Sequence, residues 1–339
     1  MDKLIIGGHD IQKGSIVQIE MPVAKLYTDI EISMPVHVIR GRKPGPTLFI
    51  SAAVHGDEIN GIEIIRRLIN RKSLKSIHGT LIFVPIVNVY GVLNQSRYMP
   101  DRRDLNRTFP GSAKGSLAGR VADKFLNEIV KQCDYGVDLH SGAIHRSNLP
   151  QIRADLDDQE TRHLAEAFGV PVLLNSNLRD GSLRQAAKES GTKILVYEAG
   201  EALRFDELSI RAGVKGILNI LTCLGMVKSR SRKKKISPFI AYNSAWSRSS
   251  SSGIVKNLKK LGDQVKRGEP LAEIGTPFGR VIDTLRATKG GIIIGKQNIP
   301  LVQEGDAMFH IAYFKDAHDE VVENIEIMQD TLLPIDEDL

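Results

Sequence analysis

An imidazole and a carboxylate three residues apart can converge on one metal ion. His55 and Glu58, in Ala52-Ala53-Val54-His55-Gly56-Asp57-Glu58, have that spacing. Zinc accepts both ligand types, and a catalytic zinc usually takes three protein ligands and keeps a position for water. His140, in Asp134-Tyr135-Gly136-Val137-Asp138-Leu139-His140, offers a third ligand from a distant segment. A metal-activated water also needs a base to take its proton, and Glu198, in Lys193-Ile194-Leu195-Val196-Tyr197-Glu198, is the candidate, with Glu201 as its rival. A fourth stretch, residues 97–111, crowds Arg97, Arg102, Arg103 and Arg107 into a polar, proline-broken loop. Arginine's planar fork matches carboxylates, so such a loop suits an anionic substrate or a developing oxyanion. Taken singly, each piece also reads as structure alone: a solvated loop, a strand-end histidine, a salt-bridged glutamate.

The elements that must position these residues follow from periodicity. The apolar run Pro46–Ser51 reads as a buried strand, and Ile59, Ile62, Ile64, Ile65 and Leu68 mark a helix directly after His55 and Glu58. The pair therefore sits where a strand gives way to a helix, which is where ligands bind in open α/β sheets. The same alternation continues, with strands expected at 47–54, 80–87, 134–139, 171–175 and 193–198. Helices are expected at 58–70, 117–131, 158–168, 182–190 and 205–224. This order predicts an α/β fold with a mostly parallel, doubly wound sheet, followed by a small all-β region.

Five segments follow from composition. Residues 1–45 are β-rich, 46–227 are the alternating α/β domain that carries the candidate catalytic residues, and 228–253 are a basic, serine-rich linker. Residues 254–315 carry short strands and glycine turns that suggest a barrel, and 316–339 are an acidic tail. At 339 residues, 42% hydrophobic and 25% charged, the chain has the composition of an ordinary globular protein. Cys133 and Cys223 form no CxxC pair or disulfide framework. The first residues lack the pattern of a signal peptide, and no apolar run approaches the length of a membrane span. The expectation is a cytoplasmic protein with no membrane association. Much of the +6 net charge lies in Lys228–Lys235. That run lacks interleaved aromatic residues, so the reading disfavours nucleic acid.

Together the four stretches resemble the succinylglutamate desuccinylase/aspartoacylase family, a branch of the zinc carboxypeptidase superfamily, which implies an α/β, zinc-carboxypeptidase-like doubly wound mixed sheet with helices on both faces. The motifs are His-Gly-Asp-Glu at 55–58, Asp-Leu-Asn-Arg-Thr-Phe-Pro-Gly at 104–111, Asp-Leu-His-Ser-Gly at 138–142 and Tyr-Glu-Ala-Gly-Glu at 197–201. The resemblance implies that His55, Glu58 and His140 bind one zinc ion and that Glu198 is the general base. It implies that Asn106 and Arg107 hold a substrate carboxylate and that Arg97 polarises the scissile carbonyl, with Arg102 and Arg103 as neighbours competing for that role. Asp104 would orient the first histidine, and Arg184 would be a further substrate contact. The C-terminal segments Gly262–Leu271 and Val302–Asp306 resemble a biotinyl/lipoyl-like barrel. The turn Gly275–Arg280 lacks the lysine that carrier domains modify, so neither biotin nor lipoate is expected there. The implied activity is hydrolysis of an N-acyl amino acid, such as an N-succinyl or N-acetyl amino acid. The alternatives are a zinc carboxypeptidase acting on small peptides and a catalytically silent binding module. A homo-oligomer is compatible with all three.

Overall fold

The computed structural model describes residues 3–176, 180–228, 238–313, 325–329 and 332. Most of the basic run 228–235 and of the acidic tail 316–339 lies outside them. Among the described residues the backbone is built on a 13-stranded mixed sheet. Its centre is parallel: Lys193–Glu201, Tyr135–Gly142, Lys43–Ala52 and His78–Val84 lie side by side in that order. Arg146–Ala154 adds antiparallel to Lys193–Glu201, and Glu31–Arg40 adds antiparallel to His78–Val84, followed by Ile16–Lys25.

Period-2 alternation explains the layers, because successive side chains of a strand face opposite sides of a sheet. Leu48 and Ile50 face one core with Leu81, Phe83, Val137 and Leu195, covered by helices Asn60–Ile69, Gln159–Phe168 and Glu207–Cys223. Phe49, Ile82, Val84 and Ile194 face the other core, covered by Leu117–Glu128 and Leu183–Glu189. The expected α/β architecture, with helices on both faces, is therefore what the chain adopts. Short polar side chains start four of these five helices, Asn60–Ile69 being the exception: Asp158, for example, accepts from Thr161 N–H at 2.9 Å and Asp206 from Ser209 N–H at 2.7 Å.

The C-terminal region contributes to two sheets. Val281–Arg286, Pro270–Gly275, Gly253–Asn257 and Leu301–Val302 form a separate four-stranded sheet. Gly291–Gln297 and Ala307–Tyr313 instead extend the large sheet, the first of them pairing antiparallel with Arg146–Asn148. Phe239–Ala241 and Asn243–Arg248, within the stretch read from composition as linker, are also strands of the large sheet. No helix among the described residues is long and apolar enough to cross a membrane.

One close approach fixes the turn that follows Lys43–Ala52. Ala53 is left-handed at φ 52°, and the turn is held by Val87 N–H donating to Ala52 O and Asn88 N–H to Ala53 O. Gly56 lies against the short helix Val89–Leu93 so tightly that a Cβ there would sit 1.9 Å from the Gly91 carbonyl carbon. Gly56→Ala must therefore push the His55–Glu58 turn off that helix. The expected cost is about 3 kcal/mol, read by chemical denaturation. A cost within experimental error would show that the approach is not obligatory.

Candidate metal and catalytic site

Three strand ends meet at the C-terminal edge of the parallel sheet. The turn after Lys43–Ala52 supplies His55 and Glu58, and Tyr135–Gly142 supplies Asp138 and His140. Lys193–Glu201 supplies Glu198. His140 and Glu198 are register partners on adjacent parallel strands, so their side chains leave the sheet on the same face.

His55, Glu58 and His140 are buried, and one ligand atom from each lies within 4.8 Å of the others. Both imidazoles present Nδ1 to the glutamate: His55 Nδ1 is 2.7 Å from Glu58 Oε1, and His140 Nδ1 is 2.7 Å from Oε2. The two rings are edge to face, with centroids 5.0 Å apart. Each opposite nitrogen meets a carboxylate. His55 Nε2 is 3.2 Å from Asp104 Oδ1, and His140 Nε2 is 2.7 Å from Asp138 Oδ2. A carboxylate on the far nitrogen fixes the ring and leaves the near nitrogen as the ligand, the usual outer arrangement of metal-binding histidines. The donor set of two nitrogens and a carboxylate suits zinc.

Burial and neighbouring charge act in opposite directions on these groups. Burial works to raise the Glu58 carboxyl, yet His55 and His140 hold it well below the usual carboxylate range. Burial opposes charge on His140, but Asp138 and Glu58 outweigh it and raise that ring well above its ordinary value. Asp104 is likewise held far down against its burial, by His55 and Arg97.

The arginine loop is brought to the same edge. Arg97 Nη2 donates to Asp104 Oδ2 at 2.9 Å, while its Nη1 lies 3.2 Å from His55 Nδ1 and 3.4 Å from Glu58 Oε1. Arg102 and Arg103 are exposed and have no such contact. Asp104 also caps its own turn by accepting from Asn106 N–H at 2.9 Å. The Asn106 side-chain oxygen accepts from Leu183 N–H at 2.9 Å, which ties the loop to the helix carrying Arg184. Arg184 is buried and donates to Ser176 Oγ at 3.2 Å. Arg107 is exposed, and its guanidinium donates to the Asn106 carbonyl.

Glu198 is held by two residues that the motifs did not single out. Asn148 donates to its Oε2 at 2.8 Å, and Arg153 Nε faces its Oε1 at 3.4 Å. Both sit on Arg146–Ala154. Glu201, the rival base, instead accepts from His145 N–H at 3.0 Å and from Asn298 Nδ2 at 2.9 Å. A third unassigned residue is Asp138, whose other oxygen accepts from Ser51 Oγ at 2.7 Å. It lies two positions before His140 on the same strand face, so strand alternation alone could have found it. With the ring support at His140 weakened, Asp138→Asn is expected to lose about 10- to 100-fold in zinc affinity, read by competition with a chelator. An unchanged affinity would mean that Asp138 serves only the packing of the strand.

Three comparisons with known proteins bear on this site. The family described as the succinylglutamate desuccinylase/aspartoacylase catalytic domain matches residues 44–224. The N-alpha-acetyl-L-2,4-diaminobutyric acid deacetylase of Halomonas elongata is 30% identical over 307 residues, which is 87% of each chain. A product-bound structure of the ectoine utilization protein EutE (DoeB) from Ruegeria pomeroyi is similar at a TM-score of 0.78 and 25% identity, over 88% of this chain and 95% of that one. A succinylglutamate desuccinylase from Silicibacter sp. TM1040 shares the fold at a TM-score of 0.77 and 23% identity, over 88% and 95% of the two chains.

Proposed function

From the premise that the chain belongs to the succinylglutamate desuccinylase/aspartoacylase family of amide hydrolases, we propose that it is a zinc-dependent deacylase of an N-acyl amino acid. The observation that carries this is the convergence of His55 Nδ1, Glu58 and His140 Nδ1, with Glu198 in register beside His140. The name of the Halomonas elongata relative makes an N-acetyl amino acid the first substrate class to try.

Zinc held by His55, Glu58 and His140 would supply a Lewis acid that acidifies a water and polarises the scissile carbonyl. The protein's own groups do the rest. Glu198 takes a proton from the attacking water on one carboxylate oxygen and returns it to the departing amine. Asn148 and Arg153 hold that carboxylate so that it need not reorganise between the two transfers. Arg97, anchored by Asp104, presents Nη1 beside the cluster and stabilises the charge that develops on the carbonyl oxygen. Asn106, Arg107 and Arg184 bind the substrate's carboxylate. For Asn106, the bond from Leu183 N–H to the amide oxygen assigns its NH2 group to the opposite side, as a donor. The products are a carboxylic acid and a free amino acid.

The test is amine release by the zinc-loaded protein from a panel of N-acetyl and N-succinyl amino acids, with short peptides alongside. Turnover confined to the acyl amino acids is the expected result and names the side chain. Turnover of peptides alone would move the protein to the carboxypeptidase reading, and no turnover of either would defeat the proposal for these substrates.

A further inference from the structure

At the opposite end of the parallel strands lies a cavity of about 940 Å³. Lys43 lines it at the start of the ten-residue strand Lys43–Ala52, and His78 lines it at the start of the next parallel strand. The metal cluster follows the far end of the first strand, roughly 30 Å away at the usual rise per residue. The cavity is therefore no part of the site described above.

Its walls carry Arg40, Arg42, Lys43, Arg71, Lys75 and Lys228, and no Asp or Glu lines it among the described residues. Arg40 is buried and donates to the Ile11 carbonyl. The side chains of the other five have no carboxylate partner among the described residues. Elsewhere in the chain, cations near carboxylates do pair, as Arg67 does with Glu207 and Lys188 with Asp155.

The frame that gathers these charges is fixed by backbone contacts. Gly41 N–H donates to Gly79 O at 2.8 Å, Gly14 N–H to Arg40 O at 2.8 Å, and His78 N–H to Met226 O at 2.9 Å. A Cβ on Gly41 would lie 2.0 Å from the Ile77 carbonyl oxygen, so the turn bearing Arg42 and Lys43 is seated as closely as backbone allows. Like charges held around a concavity repel one another and focus a positive potential into it, which a multivalent anion relieves. Guanidinium and ammonium groups together are phosphate-binding chemistry. The volume is that of a small-molecule site. No Phe, Tyr or Trp lines it to stack the bases of a nucleic acid.

We propose that this cavity is a second binding site, for a small molecule that carries two or more phosphate groups. The test is calorimetric titration of the full chain, in about 150 mM salt, with inorganic tripolyphosphate, ADP, citrate and a uridine oligonucleotide in separate arms. The expected result is saturable one-to-one binding of tripolyphosphate or ADP that exceeds citrate. The double variant Arg42→Glu/Lys75→Glu should weaken it by about tenfold or more, with an unchanged thermal melt. If that variant melts early, Lys43→Gln/Lys75→Gln provides the same comparison. No saturable binding of either phosphate compound overturns the proposal. So does equal binding of citrate, or an affinity indifferent to both variants. Tighter binding of the oligonucleotide, lost in the same variants, would also overturn it, in favour of a nucleic-acid surface.

Discussion

Replacing Glu198 with glutamine is expected to lower kcat by about 10²- to 10⁴-fold while leaving zinc content unchanged. Glutamine keeps the shape of the side chain, and its amide oxygen can still accept the Asn148 hydrogen bond at the position of Oε2. It cannot take a proton from water. Glu198 lies on the strand next to His140 and makes none of the contacts that join His55, Glu58 and His140 to one another. Its loss should therefore spare that cluster and, on the proposed mechanism, fall on the chemical step. The informative split is kcat against KM: an interaction made only in the transition state lowers kcat and kcat/KM together. Near-normal turnover by the zinc-loaded variant would remove Glu198 from the mechanism and bring Glu201 forward.

A second large effect concerns His140. Added zinc should raise the Tm of the wild-type protein, since a ligand at about a thousand times its Kd stabilises the folded state by about 4 kcal/mol. His140→Ala should lose both that rise and the hydrolytic activity. The variant should also start from a lower Tm, because Asp138 and Glu58 are both buried and both pair with this ring. Removing one partner of such a buried pair costs about 3–5 kcal/mol. The zinc-dependent increment separates the two causes, since a purely structural histidine would lower the baseline and leave the increment intact. An undiminished increment in the variant would rule out His140 as a ligand.

How far the sequence reached depends on what holds each element. Helix Asn60–Ile69 and strand Lys43–Ala52 fall close to the expected 58–70 and 47–54, because each buries one clear apolar face or run. The convergence of His55, Glu58 and His140 was legible for a different reason, since the first two lie in the turn after one strand and the third near the end of its neighbour, where side chains converge. Strand Arg146–Ala154 was not expected. Its sequence, Arg-Ser-Asn-Leu-Pro-Gln-Ile-Arg-Ala, has too few apolar residues for any period, and its buried Asn148 and Gln151 are polar. That polarity has a purpose that only the fold reveals, since Asn148 and Arg153 hold Glu198. Strand Asn243–Arg248 was hidden similarly, with serines on a strand whose pairing partner lies more than sixty residues later.

The antiparallel pairing of Gly291–Gln297 with Arg146–Asn148 also has a practical consequence. A fragment ending before the C-terminal region would leave Arg146–Asn148 with open backbone donors and acceptors, a template for intermolecular strand addition. It would also remove Asn298, which donates both to Ser147 and to Glu201. Trimming the chain to a minimal hydrolase, or exchanging its C-terminal half for that of a relative, would therefore invite aggregation and unclamp the strand that holds Glu198. Recombination of this scaffold should treat the first strand of the C-terminal extension and the carboxylate it indirectly supports as one inherited unit.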